Sequence, residues 1–123
     1  MYPFEPQKIL PEKLKQEYGI FCQRLYPQAQ IPTPFGATWC VIEPSGSSTP
    51  HDHDEEETFM ILEGKGELLL GDEKRLVQSK DVIYIPAFTR HEIKNLSSDE
   101  NLVFLSLWWR NKEDESGPEH NPH

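Results

Sequence analysis

The sequence has no long apolar run and no basic, apolar leader at its start. A helix that crosses a bilayer needs about 20 consecutive apolar residues, and a secretory signal needs a charged segment followed by an apolar one. Residues 1–6 instead carry two prolines and a glutamate. We therefore expect neither a signal peptide nor a membrane span, and a cytoplasmic location by default.

Positive charge is scarce: 12 lysines and arginines stand against 21 aspartates and glutamates, which leaves a net charge of −9 at pH 7. A surface of that sign repels phosphate groups. The composition therefore argues against nucleic acids and anionic membranes as partners.

Cysteine is also rare, with two residues, Cys22 and Cys40, in a chain of 123. They do not form a C-x-x-C motif. We interpret them as free core thiols of a protein in a reducing compartment. A disulfide between them, or a role in metal binding, is the alternative.

Helix signals are absent from the middle of the chain, whereas strand and turn signals recur through it. Eleven prolines and seven glycines separate short segments rich in apolar, β-branched and aromatic residues. Such spacing is typical of an all-β sandwich or barrel. The predicted strands are Ile20–Tyr26, Ala37–Glu43, Glu57–Leu62, Glu67–Leu70, Arg75–Gln78, Val82–Ile85, His91–Asn95 and Leu102–Trp109.

The length fits one domain with added segments at both ends. We expect residues 1–34 to form an arm, a short helix and a first strand packed on the barrel. The helix is predicted over Pro11–Gly19, because proline favours helix starts and glycine favours helix ends. Residues 35–110 form the barrel. Residues 111–123 contain no apolar side chain, and we expect a disordered acidic tail there.

An H-x-H motif precedes the third predicted strand. Alternate residues of a strand point to the same face, so His51 and His53 would project together. Imidazoles at this spacing suit a divalent transition metal. Glu57 follows at the right parity to join them and is favoured by its spacing. Glu55 and Glu56 remain alternatives as the carboxylate ligand.

A third histidine, His91, begins a predicted strand 40 residues after His51. If His91 and Glu57 both point inward, the inner face of the barrel holds three imidazoles, one carboxylate and apolar walls. Such a ligand set leaves a metal with open positions for water, dioxygen or substrate. The side chains predicted to line the pocket are those of Phe59, Ile61, Tyr84, Ile93 and Ser106.

These residues resemble the first motif of the cupin superfamily. That motif contains a glycine, H-x-H, a glutamate and a second glycine, which correspond here to Gly46, His51, His53, Glu57 and Gly64. The gap from Gly46 to His51 is one residue shorter than the usual form.

The second cupin motif is present with two departures. Pro86, His91 and Asn95 stand in register with its proline, histidine and asparagine. Lys80 and Phe88 occupy the two positions where the motif has glycine. The resemblance covers roughly residues 35–110, and the two motifs occur within it in order.

The resemblance implies a double-stranded β-helix, which is a small jelly-roll barrel, with a metal held by His51, His53, Glu57 and His91. The metal is one divalent transition ion, and iron, manganese, nickel, cobalt and zinc all suit mixed nitrogen and oxygen ligands.

The resemblance also implies a metalloenzyme acting on a small polar molecule, in the dioxygenase, isomerase or epimerase, or decarboxylase class. Two alternatives stay open: a non-catalytic barrel that binds or senses a small molecule, and a structural barrel with a vestigial site. Unpaired sheet edges and the N-terminal arm, together with the habit of the family, favour a homodimer.

Overall fold

Nine antiparallel strands form almost all of the regular structure in the computed structural model, which describes residues 6–26 and 31–110. A single 3₁₀ turn, Pro11–Lys13, precedes them. The strands are β1 (Lys15–Glu17), β2 (Ile20–Leu25), β3 (Gly36–Ile42), β4 (Glu56–Glu63), β5 (Lys65–Leu70), β6 (Glu73–Gln78), β7 (Val82–Ile85), β8 (His91–Asn95) and β9 (Leu102–Trp109).

The strands are arranged in two sheets that share one core. One sheet has six strands in the order β1-β2-β3-β9-β4-β7, and the other has three in the order β6-β5-β8. Buried and more exposed residues alternate along β3, β4 and β8, as expected where one face of a sheet packs inward. Apolar side chains from both sheets form the core, among them Ile42, Phe59, Ile61, Leu68, Val77, Ile93 and Phe104.

The helix predicted over Pro11–Gly19 is wrong. Only Pro11–Lys13 makes a helical turn, and Lys15–Glu17 pairs with β2 as an edge strand. Tyr18 and Gly19 join β1 to β2 with φ angles of 53° and 79°. Two positive φ values in a two-residue loop are typical of a type I′ hairpin turn, which matches the twist of the paired strands. Backbone pairing with β2 therefore overrides the local helix signal.

The predicted tail, residues 111–123, lies outside the described residues. Among the described residues, none belongs to a helix with the length and apolar character that a membrane crossing requires.

Asn95 ties the end of β8 to two other segments. Its side chain is buried, and its Nδ2 group donates to the carbonyl oxygens of Ile42, Glu43 and Glu100 at 3.0, 3.1 and 2.8 Å. Its Oδ1 atom accepts a hydrogen bond from the backbone of Ser97 at 2.9 Å. The buried Asn95 amide thereby has partners for both its donor and its acceptor atoms, as buried polar groups require.

The two positions where the cupin motif has glycine keep a glycine-like backbone. Lys80 and Phe88 have φ angles of 81° and 64°. The amide of Lys80 donates to the carbonyl of Ile61 at 2.8 Å, and that of Phe88 donates to the carbonyl of His53 at 2.7 Å. A left-handed backbone costs a residue with a Cβ atom about 1–2 kcal/mol. The turns are therefore retained by their hydrogen bonds at the expense of local strain.

We predict that Asn95→Asp lowers the free energy of unfolding at pH 7 by about 3 kcal/mol or more, because a buried carboxylate would face three carbonyl oxygens. Asn101→Asp makes the same charge change at an exposed position and should stay within about 0.5 kcal/mol of the wild type. Urea denaturation measures both. Equal stability of the two variants would show that the Asn95 amide has no such role.

We predict that Lys80→Gly raises the free energy of unfolding by roughly 0.5–1 kcal/mol, since relief of strain exceeds the added entropy of the unfolded chain. Lys74→Gly removes the same charge from the exposed strand β6 and should lower it by about 0.5–1 kcal/mol. The same urea titrations check the pair. A less stable Lys80→Gly variant would contradict this account of the turn.

Candidate metal centre

The three histidines reach one place in the fold from two segments. His51 precedes β4 and pairs with His91, the first residue of β8, through reciprocal backbone hydrogen bonds of 3.2 and 2.9 Å. His53 lies in the loop that leads to β4, and its ring still reaches the other two without the strand geometry from which the sequence predicted their approach. The ring centroids are 4.4 Å apart for His51 and His91, 5.6 Å for His51 and His53, and 5.3 Å for His53 and His91.

Each imidazole is held by a backbone carbonyl two residues away along the chain. Because a carbonyl oxygen can only accept, Nδ1 of each ring carries the proton, and Nε2 of the neutral ring presents a lone pair. This arrangement fixes both the tautomer and the orientation of a metal-binding histidine. The Nδ1···O distances are 2.8 Å for His51 and Thr49, 3.0 Å for His53 and Glu55, and 2.9 Å for His91 and Thr89.

The ligand atoms of the three histidines lie within 4.8 Å of one another, close enough to hold one metal ion. The Glu57 carboxylate adjoins them, with Oε1 at 3.1 Å from Nε2 of His53 and 3.3 Å from Nε2 of His91. Nε2 of His91 is buried and makes no hydrogen bond within the described chain. An orphaned nitrogen among other electron-pair donors fits a site for a cation.

Glu57 is buried and ionised. It extends from β4, and its Oε2 atom accepts a short hydrogen bond from the hydroxyl of Ser106 on β9. Burial raises the pKa of Glu57, but contacts with His53, His91 and Ser106 together outweigh burial and bring the pKa to about 2. The side chain therefore stays anionic at neutral pH.

The other two glutamates of the acidic run are placed differently. The carboxylate of Glu56 accepts a hydrogen bond from the hydroxyl of Tyr84. Glu55 lines the cavity, and burial raises the pKa of its carboxyl group. Glu57 is the member of the run whose carboxylate contacts the imidazoles.

The electrostatic surroundings distinguish two of the histidines. Burial lowers the pKa of His51, and the neighbouring imidazoles lower it further, against the effect of its bond to the Thr49 carbonyl. When the His53 ring is protonated, its Nε2 donates a hydrogen bond to Glu57, and this bond raises the pKa of His53. His51 is therefore held as a neutral ring, the form that binds metal.

The histidines lie in the wall of a cavity of about 270 Å³ inside the barrel. Of the predicted pocket residues, Phe59, Ile93 and Ser106 line this cavity. Ile61 instead belongs to the core, where it is almost fully buried. Tyr84 is half exposed on β7, because its neighbour Ile85 takes the inward position of that strand.

The register of the six-stranded sheet arranges part of the cavity wall in three rows. Side chains directly opposite on neighbouring strands share a face, so each row combines residues from several strands. The first row contains Glu57 and Trp108, the second contains Phe59, Ser106, Thr38 and Arg24, and the third contains Phe104, Cys40 and Cys22. Ile61 pairs with Phe104 in the third row but belongs to the core and does not line the cavity.

Two side chains from the N-terminal hairpin, which the sequence pattern did not predict as site residues, also line the cavity. Tyr18 stacks on His51 with ring centroids 4.6 Å apart and an interplanar angle of 16°. Arg24 donates to Glu17 at 2.8 Å and lies 5.6 Å from the centre of the Trp108 ring. Both depend on the β1–β2 turn, so no local sequence signal points to them.

Comparison with known proteins identifies the family. The model of the cupin domain family Cupin_2 matches residues 38–108. An uncharacterised protein of Methanocaldococcus jannaschii is 46% identical over 59 residues, which cover 46% of this chain and 47% of that protein. A second, from Aquifex aeolicus, is 42% identical over 63 residues, half of each chain. The chain therefore aligns with about half the length of these curated relatives.

Solved structures extend the similarity to most of the chain. A Cupin 2 conserved barrel domain protein from Salinispora arenicola has a TM-score of 0.81 and 30% identity, and the match covers 89% of this chain and 92% of that one. The plu4264 protein of Photorhabdus luminescens has a TM-score of 0.80 and 30% identity, covering 87% and 88%. By its family match, its jelly-roll barrel and its three converging histidines, this chain belongs to the cupin family.

Proposed function

We propose that the protein is a metalloenzyme that acts on a small polar molecule, with His51, His53, His91 and Glu57 as the ligands of one divalent transition metal. The observation that supports this proposal most strongly is the convergence of three imidazole ligand atoms within 4.8 Å in the wall of an internal cavity. Four protein ligands leave room for a substrate oxygen or nitrogen to approach the metal.

The ligand set suits a borderline metal better than a soft or a hard one. Three nitrogens and one carboxylate oxygen, without a thiolate, fit iron(II), manganese, nickel, cobalt or zinc. Glu57 supplies one negative charge, and the Ser106 hydroxyl keeps its second oxygen occupied. A bound metal would supply a Lewis acid that polarises the substrate.

The cavity favours a small substrate. Its volume of about 270 Å³ is just below the roughly 300–1,000 Å³ of pockets for drug-sized ligands. Phe59 and Phe104 provide apolar contact, and the hydroxyls of Thr38 and Ser106 lie in the same wall. At the rim, Arg24 offers the guanidinium group that would attract a polar or anionic substituent. The dioxygenase, isomerase or epimerase, and decarboxylase classes all agree with this setting.

We predict that protein purified without chelators retains about one equivalent of a transition metal, and that His51→Ala and His91→Ala retain at least about tenfold less, because each variant loses a ligand. Elemental analysis of the folded proteins measures this content, and circular dichroism confirms the fold. His120→Ala, which removes a histidine outside the proposed ligand set, should match the wild type. Equal metal content in all four proteins would end the ligand assignment.

We predict that the metal-loaded protein converts a compound in an extract of small polar metabolites. Mass spectrometry should show time-dependent loss of one compound and gain of another with wild type and His120→Ala, but not with His91→Ala. Loss limited to one equivalent of protein, without a product, would instead indicate a barrel that binds its ligand without turnover. If neither conversion nor stoichiometric loss of a compound is seen, a structural barrel with a vestigial site is favoured.

A further inference from the structure

The two cysteines of the chain meet inside the barrel. Cys22 on β2 and Cys40 on β3 are direct cross-strand partners, and their Sγ atoms are 3.9 Å apart. Both thiols are free, and both residues are buried. They also line the cavity that contains the three histidines. The pair therefore lies where the apolar core meets the cavity, in contact with both.

The two thiols lie in a different row of the cavity wall from Glu57, one of the proposed metal ligands. Cys40 and Cys22 belong to the third row of the wall and Glu57 to the first, so the two rows are offset by four residues along β4. At about 3.3 Å per residue, this offset is roughly 13 Å along the strand. Metal–thiolate bonds are about 2.3 Å long. The two thiols are therefore not placed to bind the same metal ion as Glu57.

The backbone geometry suits a covalent bond between the two sulfurs. Directly opposite residues of antiparallel strands have Cα atoms about 4.5–5.5 Å apart, and disulfides span Cα distances of about 4.4–6.8 Å. Rotation of the two side chains can therefore bring the sulfurs to bonding distance while β2 and β3 stay paired.

We propose that Cys22 and Cys40 form a redox-active dithiol, which closes to a disulfide inside the cavity by exchange with a small linear disulfide. The exchange has two balanced steps. The thiolate of Cys22 attacks one sulfur of the reagent, which forms a mixed disulfide and releases one thiolate. The thiolate of Cys40 then attacks the Cys22 sulfur and releases the second. The protein loses two protons and two electrons, and the reagent, which gains them, becomes two thiols.

The environment of the pair supports this order of attack. The hydrogen bond between the thiols lowers the pKa of Cys22. The same bond, followed by burial, raises the pKa of Cys40. Cys22 is thus the thiol that ionises first, and the thiolate is the reactive form. Access is through the cavity, since both side chains form part of its wall.

Closure of the disulfide would change the cavity without touching the metal ligands. It would replace two S–H groups by one S–S bond and fix the third row of the wall. The redox state of the pair would therefore alter which small molecules the cavity accepts, in addition to the function proposed above.

The test uses the full-length protein, chelator and hydroxyethyl disulfide. After exchange, the protein is quenched in acid, unfolded, alkylated with N-ethylmaleimide and weighed by mass spectrometry. We expect a species without any adduct whose mass is lower by two hydrogen atoms, and its return to the doubly alkylated form after dithiothreitol. Because the chain has only these two cysteines, that mass assigns the bond.

Matched variants make the outcome decisive. Cys40→Ala should stop at a single hydroxyethyl adduct on Cys22, and His91→Ala should form the internal disulfide as the wild type does, which separates this proposal from the metal site. Wild-type protein that accumulates only mixed disulfides, or that stays fully alkylatable, would overturn the proposal.

Discussion

Four electron-pair donors face one another inside this barrel, and only a cation makes that arrangement favourable. The Nδ1 bonds to backbone carbonyls leave each neutral imidazole with its lone pair on Nε2. The Glu57 carboxylate lies against two of these nitrogens and is ionised. Without a proton or a metal between them, acceptors would meet acceptors in a buried place. The backbone carbonyls that orient the three rings thus favour the binding of a cation between the four donors.

Neither sheet alone can supply this site, since Glu57 lies on the six-stranded sheet and His91 on the three-stranded one. The backbone bridge between His51 and His91 brings the two segments together, and the Asn95 side chain fastens the far end of β8 to the segments beside it. The three imidazoles and the carboxylate therefore come together only in the folded barrel. A cation that binds them would in turn stabilise the folded state.

The sequence predicted the features that follow from local spacing. The period of two along a strand placed Glu57 with Phe59 and His91 with Ile93, and all four side chains line the cavity. Features that depend on pairing between strands far apart along the chain could not be predicted from local spacing. The β1 hairpin depends on partners in β2, so the local signals at Pro11 to Gly19 predicted a helix instead. The stacking of Tyr18 on His51 follows from that hairpin and could not be foreseen.

The contact between the two cysteines also depends on pairing between strands, so their proximity could not be predicted from local spacing. Eighteen residues separate Cys22 from Cys40, and only the β2–β3 register makes them neighbours. That register also places the polar and sulfur groups of the wall in different rows: the carboxylate of Glu57 in the first, the hydroxyls of Ser106 and Thr38 in the second, and the two thiols in the third. Borderline and soft donors are thereby kept apart, which protects the site from the thiolate ligation that would favour a softer metal. Strand register, more than residue type, decides which chemistry each part of the cavity can carry.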